Sequence, residues 1–260
     1  MSNHFTLPNN PLDWPAGAKD FTGVNNLGLH TKETIQRYVY GTRYITWDGR
    51  VFKYMGLTTG GCVSYHGVAS TAAAVLAYTA NPVAAAAGDM SITATIADLA
   101  EDQLAGGFVA LYRATIDNST VRAIVGNDAS GASTTKIYLE APLAAAHAIT
   151  TDYHEIFANP YRLVSETSNA YAAWMGVPCV TAATTYNVWV QTWGPAFISP
   201  GNLTLDDPAA DERSVYWKTD AVLSEAAVTG ATSESQHAGY ILNSGGSGIA
   251  GPMIYLMCST

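Results

Sequence analysis

The chain has 260 residues, 48% of them hydrophobic and 10% aromatic, enough for one large or two small domains and too apolar for a disordered tail. Only 13% are charged, about half the usual share, so small polar residues or another protein must cover the surface. A net charge of −9 and a pI near 4.9 argue against nucleic acid as a partner.

Residues 1–35 read as an extended N-terminal arm. Asn9-Asn-Pro-Leu-Asp-Trp-Pro15 and Asn25-Asn-Leu-Gly28 are turn chemistry without periodicity. Phe5, Leu7, Leu12, Trp14 and Phe21 are spaced apolar anchors along it, suited to lying on another surface. Residues 1–53 carry six Lys/Arg against four acids, and the other 207 carry six against seventeen. A slightly basic start could therefore dock on an acidic partner.

Residues 36–260 are expected as a β-rich domain. Arg43 to Tyr54 carries the clearest local signal, two aromatic and β-branched runs flanking Asp48-Gly49. That dipeptide predicts a type I′ turn with a two-residue loop. The expected register pairs Trp47 with Arg50, Thr46 with Val51, Ile45 with Phe52 and Tyr44 with Lys53. Ala69 to Tyr78 fits a short helix ended at Asn81-Pro82, or a pair of small-residue strands packed against another backbone. Met90–Ile96 alternates as a strand. Phe108–Arg113, Val121–Val125 and Lys136–Glu140 follow with a turn signal about every dozen residues, the rhythm of a barrel or sandwich.

Ala144–Thr150 is ambiguous, and Tyr161–Val164 begins another strand after Asn159-Pro160. Tyr186–Trp193 is the best central strand. Tyr186, Val188 and Val190 line one face, Trp189 and Trp193 the other, and Gly194-Pro195 stops it. Large apolar groups on both faces call for two covers, core on one side and core or a subunit partner on the other. Val215–Lys218, Ala238–Leu242 and Pro252–Met257 complete the strands. A loose recurrence, with Gly107–Arg113 and Gly239–Asn243 each preceding an Ile-Tyr-Leu strand, suggests two similar units, about 36–165 and 166–260.

Chemistry is thin. Gly246-Ser-Gly-Ile-Ala-Gly251 matches the dinucleotide fingerprint, but only nine residues follow, too few for the helix and acidic residue it needs. Cys62, Cys179 and Cys258 show no metal spacing and read as buried free thiols in a reducing compartment. Asp152 and His154 would share a face on a strand and could touch one ion, although a solvated loop is the commoner use. The acidic pairs Asp206-Asp207 and Asp211-Glu212 match no EF-hand spacing. No nucleophile elbow appears, and no cofactor, metal or catalytic residue is expected. No signal peptide is visible, and no apolar run is long enough to cross a bilayer.

The sequence resembles tailed-bacteriophage virion proteins of the capsid decoration or cement type. The resemblance rests on Gly41–Arg43 with Trp47–Tyr54; on Ala105–Val109, Ile124–Asn127 and Ile137–Leu143; and on Asn159–Tyr161 with Val188–Ala196. It is a likeness of pattern over residues 41–196, not a catalytic signature, and the small decoration proteins of this class are much shorter. It implies a non-enzymatic, all-β protein, barrel or sandwich, with an extended arm and at most one or two short helices. It further implies a homotrimer on the outer capsid surface that binds the major capsid protein and stabilises the head, made in the host cytoplasm, with no nucleic acid or membrane partner. Trp47, Arg50, Trp189 and Trp193 join the arm anchors as candidate interface residues. The alternatives are a head-fibre, tail or baseplate module binding host glycan, and a glycan hydrolase on a β-scaffold.

Overall fold

In the computed structural model sixteen strands run in chain order among the described residues: β1 (Arg43–Ile45), β2 (Val51–Gly56), β3 (Val68–Ser70), β4 (Ala77–Ala80), β5 (Ser91–Ala94), β6 (Phe108–Tyr112), β7 (Thr120–Asn127), β8 (Thr135–Leu139), β9 (Tyr153–Phe157), β10 (Val164–Ser165), β11 (Ala173–Pro178), β12 (Asn187–Phe197), β13 (Ser214–Trp217), β14 (Leu223–Glu225), β15 (His237–Asn243) and β16 (Met253–Met257). The structure describes residues 28–46, 48–71, 77–113, 119–131, 133–167, 172–199, 213–217, 221, 223–225, 236–243 and 251–259. Among them the fold is all-β, with no α-helix. The strands fall into two units, one built from Met1–Thr71 with Tyr161–Thr260, the other from Ala72–Pro160. The units are thus nested in sequence.

The first unit holds a ten-stranded antiparallel sheet in the order β10-β3-β11-β12-β16-β15-β13-β14, with β2 on β12 and β1 on β2. β12 is the spine. Its first half pairs with β2 from Asn187↔Gly56 to Trp193↔Val51, its second half with β16 from Trp193↔Met257 to Phe197↔Met253. Val188 and Val190 pack with Met55, Leu57, Val68 and Val164. Trp189 packs on the other face with Phe52 and Tyr54. Both covers expected for this strand are therefore present, and both come from the chain itself.

Residues 29–44 provide the second cover. Tyr38 and Tyr44 each lie 5.5 Å from Trp189, and Tyr54 touches Tyr38 edge-on at 5.2 Å. Tyr54 accepts a hydrogen bond from Arg37 N (3.2 Å), and Tyr40 donates to Asn187 Oδ1 (2.8 Å). The described end of the expected arm is sewn to this unit, with Glu33 and Asn187 exchanging main-chain bonds of 3.2 and 2.7 Å.

The β1–β2 hairpin differs from the predicted register by one residue. Arg43 faces Lys53, Tyr44 faces Phe52, and Ile45 faces Val51. Gly49 N donates to Thr46 O and Thr46 N to Arg50 O, both at 2.9 Å, so three residues separate Thr46 from Arg50. Gly49 takes φ +82° while Asp48 does not turn positive, the geometry of a bulged three-residue loop and not of a type I′ turn. The slip exchanges the faces, putting Tyr44 with Phe52 in the aromatic core. Asp48 caps the loop, its Oδ2 accepting from Arg50 Nε at 2.8 Å.

β12 also runs further than the Gly194-Pro195 stop predicts. A bulge between Gln191 and Trp193 re-aims the strand, and Gly194 adopts φ +91°. Pro195 has no N–H to donate, yet the ladder continues through Ala196↔Ile254 to Phe197↔Met253. Gln191, 4% exposed, reaches three carbonyls at the bulge, those of Trp193 (3.2 Å), Gly194 (3.4 Å) and Pro195 (2.8 Å). Interior residues of β3, β11, β12, β13, β15 and β16 then share one core, in which Trp174 and Trp217 stack at 5.1 Å.

The second unit is a six-stranded antiparallel sheet, β4-β9-β6-β7-β8-β5. Val109, Leu111, Ile124, Ile137, Leu139 and Ile156 alternate onto its buried face. The strand reading of Ala69–Tyr78 holds at its two described ends, in β3 and β4. Tyr161–Leu163 lie outside any strand, since only Val164 and Ser165 pair, with Ser70 and Ala69.

A Cβ on Gly49 would meet nothing within 4 Å, so a side chain there pays in backbone conformation alone. Gly49→Val is expected to lower stability by about 1–2 kcal/mol and Gly49→Asn by clearly less, because Asn tolerates φ > 0. Urea midpoints of the two variants against the parent check this.

Candidate functional site

The second unit buries a polar cluster where the sequence suggests a solvated loop. Asp152 is 5% exposed, His147 3% and His154 0%. The loops around Asn81 and His147 are stitched by paired main-chain bonds between Ala85 and His147 (3.0 and 2.8 Å) and by Asn81 N to Asp152 O (2.9 Å). Residues two apart do share a face here, but that face is the interior. His154 Nδ1 donates to Asn81 Oδ1 (2.9 Å) and its Nε2 accepts from Thr79 Oγ1 (3.0 Å). Both ring nitrogens are used as a neutral imidazole uses them. Burial, with His147 nearby, pushes its pKa down to about 4. His147 is lowered as well, by burial first, against the pull of Asp152, whose Oδ2 lies 3.8 Å from His147 Nδ1. That carboxylate oxygen accepts from Ala148 N at 2.8 Å. Among the described residues no group of three or more His, Cys, Asp or Glu is placed to hold a metal ion.

The thiols are not activated. Burial raises Cys62 and Cys179 to about 11 and Cys258 to about 12. Cys62 Sγ donates to Val180 O at 3.3 Å, and His66 turns instead to Glu166 at 3.0 Å. Residues 246–250 of the glycine motif lie outside the described residues, and Gly251 runs into a strand where a dinucleotide site needs a helix.

The candidate interface residues separate. Phe5, Leu7, Leu12, Trp14, Phe21 and Trp47 lie outside the described residues, as do the acidic pairs at 206–207 and 211–212. Trp189, 5% exposed, is spent inside the first unit. Arg50 sits over the Phe52 ring at 5.6 Å while paired with Asp48. Trp193 alone joins an open face.

That face is the outer side of β12, β16 and β15. Register sets Pro195, Tyr255 and Tyr240 in one row, Trp193 and Met257 in a second, and Phe197 and Met253 in a third, with Leu242 at the β15 bulge. Tyr240 stacks on Tyr255 at 5.3 Å, and Trp193 meets Tyr255 edge-on at 5.7 Å while its Nε1 donates to Tyr255 Oη (3.1 Å). Phe197, Tyr240, Leu242, Met253 and Met257 are each 36–40% exposed. The opposite sides of the same strands (Ala196, Ile241, Ile254, Leu256) are core. Sequence alternation gives each strand's inward set. That the outward sets also line up as one apolar surface depends on strand order, which no local pattern encodes.

The described architecture is that of an all-β chain carrying a broad apolar sheet face and a sealed polar core. Comparison with protein-family models, with curated proteins and with solved structures finds no match for this chain.

His154 supplies a pH test. Its pKa is lower folded than the ordinary 6.5, so the unfolded chain binds the extra proton between those values. Its share of stability is fully present above pH 6.5 and is lost as pH falls toward 4, about 3 kcal/mol in all. His154→Gln should lower stability at pH 7 and flatten the slope between pH 6.5 and 4. Equal slopes in urea titrations of parent and variant would refute the assignment.

Proposed function

We propose that the chain is a non-enzymatic structural protein of the capsid decoration or cement type, working by contact within a symmetric assembly. The observation that carries this reading is the open apolar face of β12, β16 and β15, on which none of the eight outward residues named is charged. Protein interfaces concentrate Trp, Tyr, Phe and Met and exclude charge at their centre. Covering a partly exposed side chain of this size contributes on the order of 1 kcal/mol, which favours burying the face against a neighbouring copy. A chain with 13% charged residues loses little on such burial. In this reading the face joins copies into a trimer, and the N-terminal residues bind the major capsid protein. Weak contacts repeated over a lattice then sum through multivalency.

Several polar groups have structural partners, while His147 Nδ1 and Asn81 Nδ2 are buried without a hydrogen bond. His154 is capped at both nitrogens, the thiols are held protonated, and Glu166 is engaged by His66.

Tyr240→Asp and Met253→Lys place charges on the face at positions 40% exposed, so the fold should survive. The expected outcome is a trimeric parent and monomeric variants by sedimentation equilibrium, with the variants lost from particles that carry the parent in hundreds of copies. A monomeric parent absent from particles would overturn the reading.

A second prediction concerns the arm. The cut belongs at residue 27, because Glu33 and Lys32 bond to Asn187 and Thr181 of the body. Removing residues 1–27 should leave the melting temperature within a few degrees of the parent and reduce particle occupancy. Unchanged occupancy would remove the arm from the mechanism.

A further inference from the structure

The outward face of the second unit differs in chemistry from that of the first. Register sets Ala80, Tyr153 and Tyr112 in one row across β4, β9 and β6, and Tyr78, Glu155 and Ala110 in the next. Three tyrosines thus surround one carboxylate. Tyr78 and Tyr153 stack at 5.5 Å with planes 14° apart, and Tyr112 meets Tyr78 edge-on at 6.3 Å. Tyr78 is 61% exposed and Tyr153 38%. Tyr112 donates its hydroxyl to Glu155 Oε2 at 2.6 Å. Ala80 is Tyr153's partner and Ala110 is Glu155's, and Ala110 is only 7% exposed.

We propose that Tyr78, Tyr112, Tyr153 and Glu155 form a binding platform for a neutral saccharide. A pyranose has an apolar C–H face and a hydroxyl rim, and a tyrosine has an apolar body with a polar tip. The exposed ring of Tyr78 takes the C–H face. Glu155, with one oxygen held by Tyr112, accepts sugar hydroxyls on the other, and the Tyr112 oxygen, its proton already committed, accepts as well.

The carboxylate selects the occupant. A protein surface closing over this patch would strip water from Glu155, and one tyrosine hydrogen bond is poor compensation for a buried charge. A sugar brings hydroxyl donors to that same oxygen. The carboxylate also repels sialylated, uronic or sulfated glycans, as does the chain's net charge of −9. The site is independent of the assembly reading, since all four residues belong to the second unit.

The test uses the full chain titrated with maltohexaose, cellohexaose and mannohexaose, and with a hyaluronan hexasaccharide as the anionic counterpart, followed by tyrosine fluorescence and calorimetry. At least one neutral hexasaccharide should bind and hyaluronan should not. Tyr78→Ala should weaken binding tenfold or more, and Glu155→Gln should weaken it while admitting hyaluronan, both with unchanged urea midpoints. Three results each overturn the proposal: no binding of any neutral probe at millimolar concentration, binding indifferent to both substitutions, or Tyr78→Ala changing the oligomeric state instead of sugar affinity. Particle association, read separately with Tyr240→Asp, bears only on the assembly reading.

Discussion

β12 must satisfy its backbone while changing neighbours midway. From Asn187 to Gln191 it is laddered to β2 and buried on both faces, and from Trp193 onward it runs beside β16. β11 touches it only at Gln191 and Val190 before turning to β3. A strand that changes neighbours has to keep its carbonyls partnered, since an unpaired buried one costs on the order of 1–3 kcal/mol. At the bulge the Gln191 amide reaches the carbonyls of Trp193, Gly194 and Pro195, while Thr192 Oγ1 donates to Ser259 O at 2.6 Å. Two further exchanges depend on glycine. A Cβ at Gly176 would lie 2.2 Å from Gln191 O, and one at Gly239 1.9 Å from Tyr255 O, both at strongly positive φ. The close approach of β11 to β12 and of β15 to β16 is therefore closed to any other residue, and the apolar outer face rests on that approach.

Much of this was legible and some was not, for identifiable reasons. Runs of β-branched and aromatic residues between turn signals mark β5, β6, β7, β8, β12, β13, β15 and β16. β9, β11 and β14 carry no such signal. Tyr153–Phe157 reads as a polar loop, since His154 and Glu155 look solvated until His154 proves to be inward and fully hydrogen-bonded. Ala173–Pro178 contains a glycine at a bulge that breaks alternation. The hairpin is legible in the sequence, but its register differs by one residue from the two-residue-loop pairing. Asp-Gly serves both the two-residue loop and the bulged three-residue loop, and the burial of Tyr44 with Phe52 decides between them. Gln191 carried no signal at all, because its role depends on a bulge that exists only once three strands meet.

The candidate interface residues follow the same logic. Trp189 and Trp193 lie four apart on one strand and, by alternation, on one side. The intervening bulge breaks that phase, sending Trp189 into an aromatic core and leaving Trp193 half-open beside Tyr255. Trp content alone cannot separate a core anchor from a surface one. What separates them is whether residues 29–44 reach the position, as they do for Trp189.

The two outward sheet faces differ in the charge they carry. The first unit presents Trp, Phe, Met, Leu and Pro around stacked tyrosines and carries no charge among those residues, so removing water from it costs little. The second presents tyrosines around a carboxylate that is bound to one hydroxyl and must remain hydrated or be offered donors. The charge at the centre decides whether a flat hydrophobic partner or a hydroxyl-bearing one is favoured. The sealed His147–His154 cluster lies in the same sheet, where Glu155 on β9 points outward between two inward residues, His154 and Ile156. A single strand thus commits its polar side chains in opposite ways, a neutral imidazole locked inside and a carboxyl group held on the outward face.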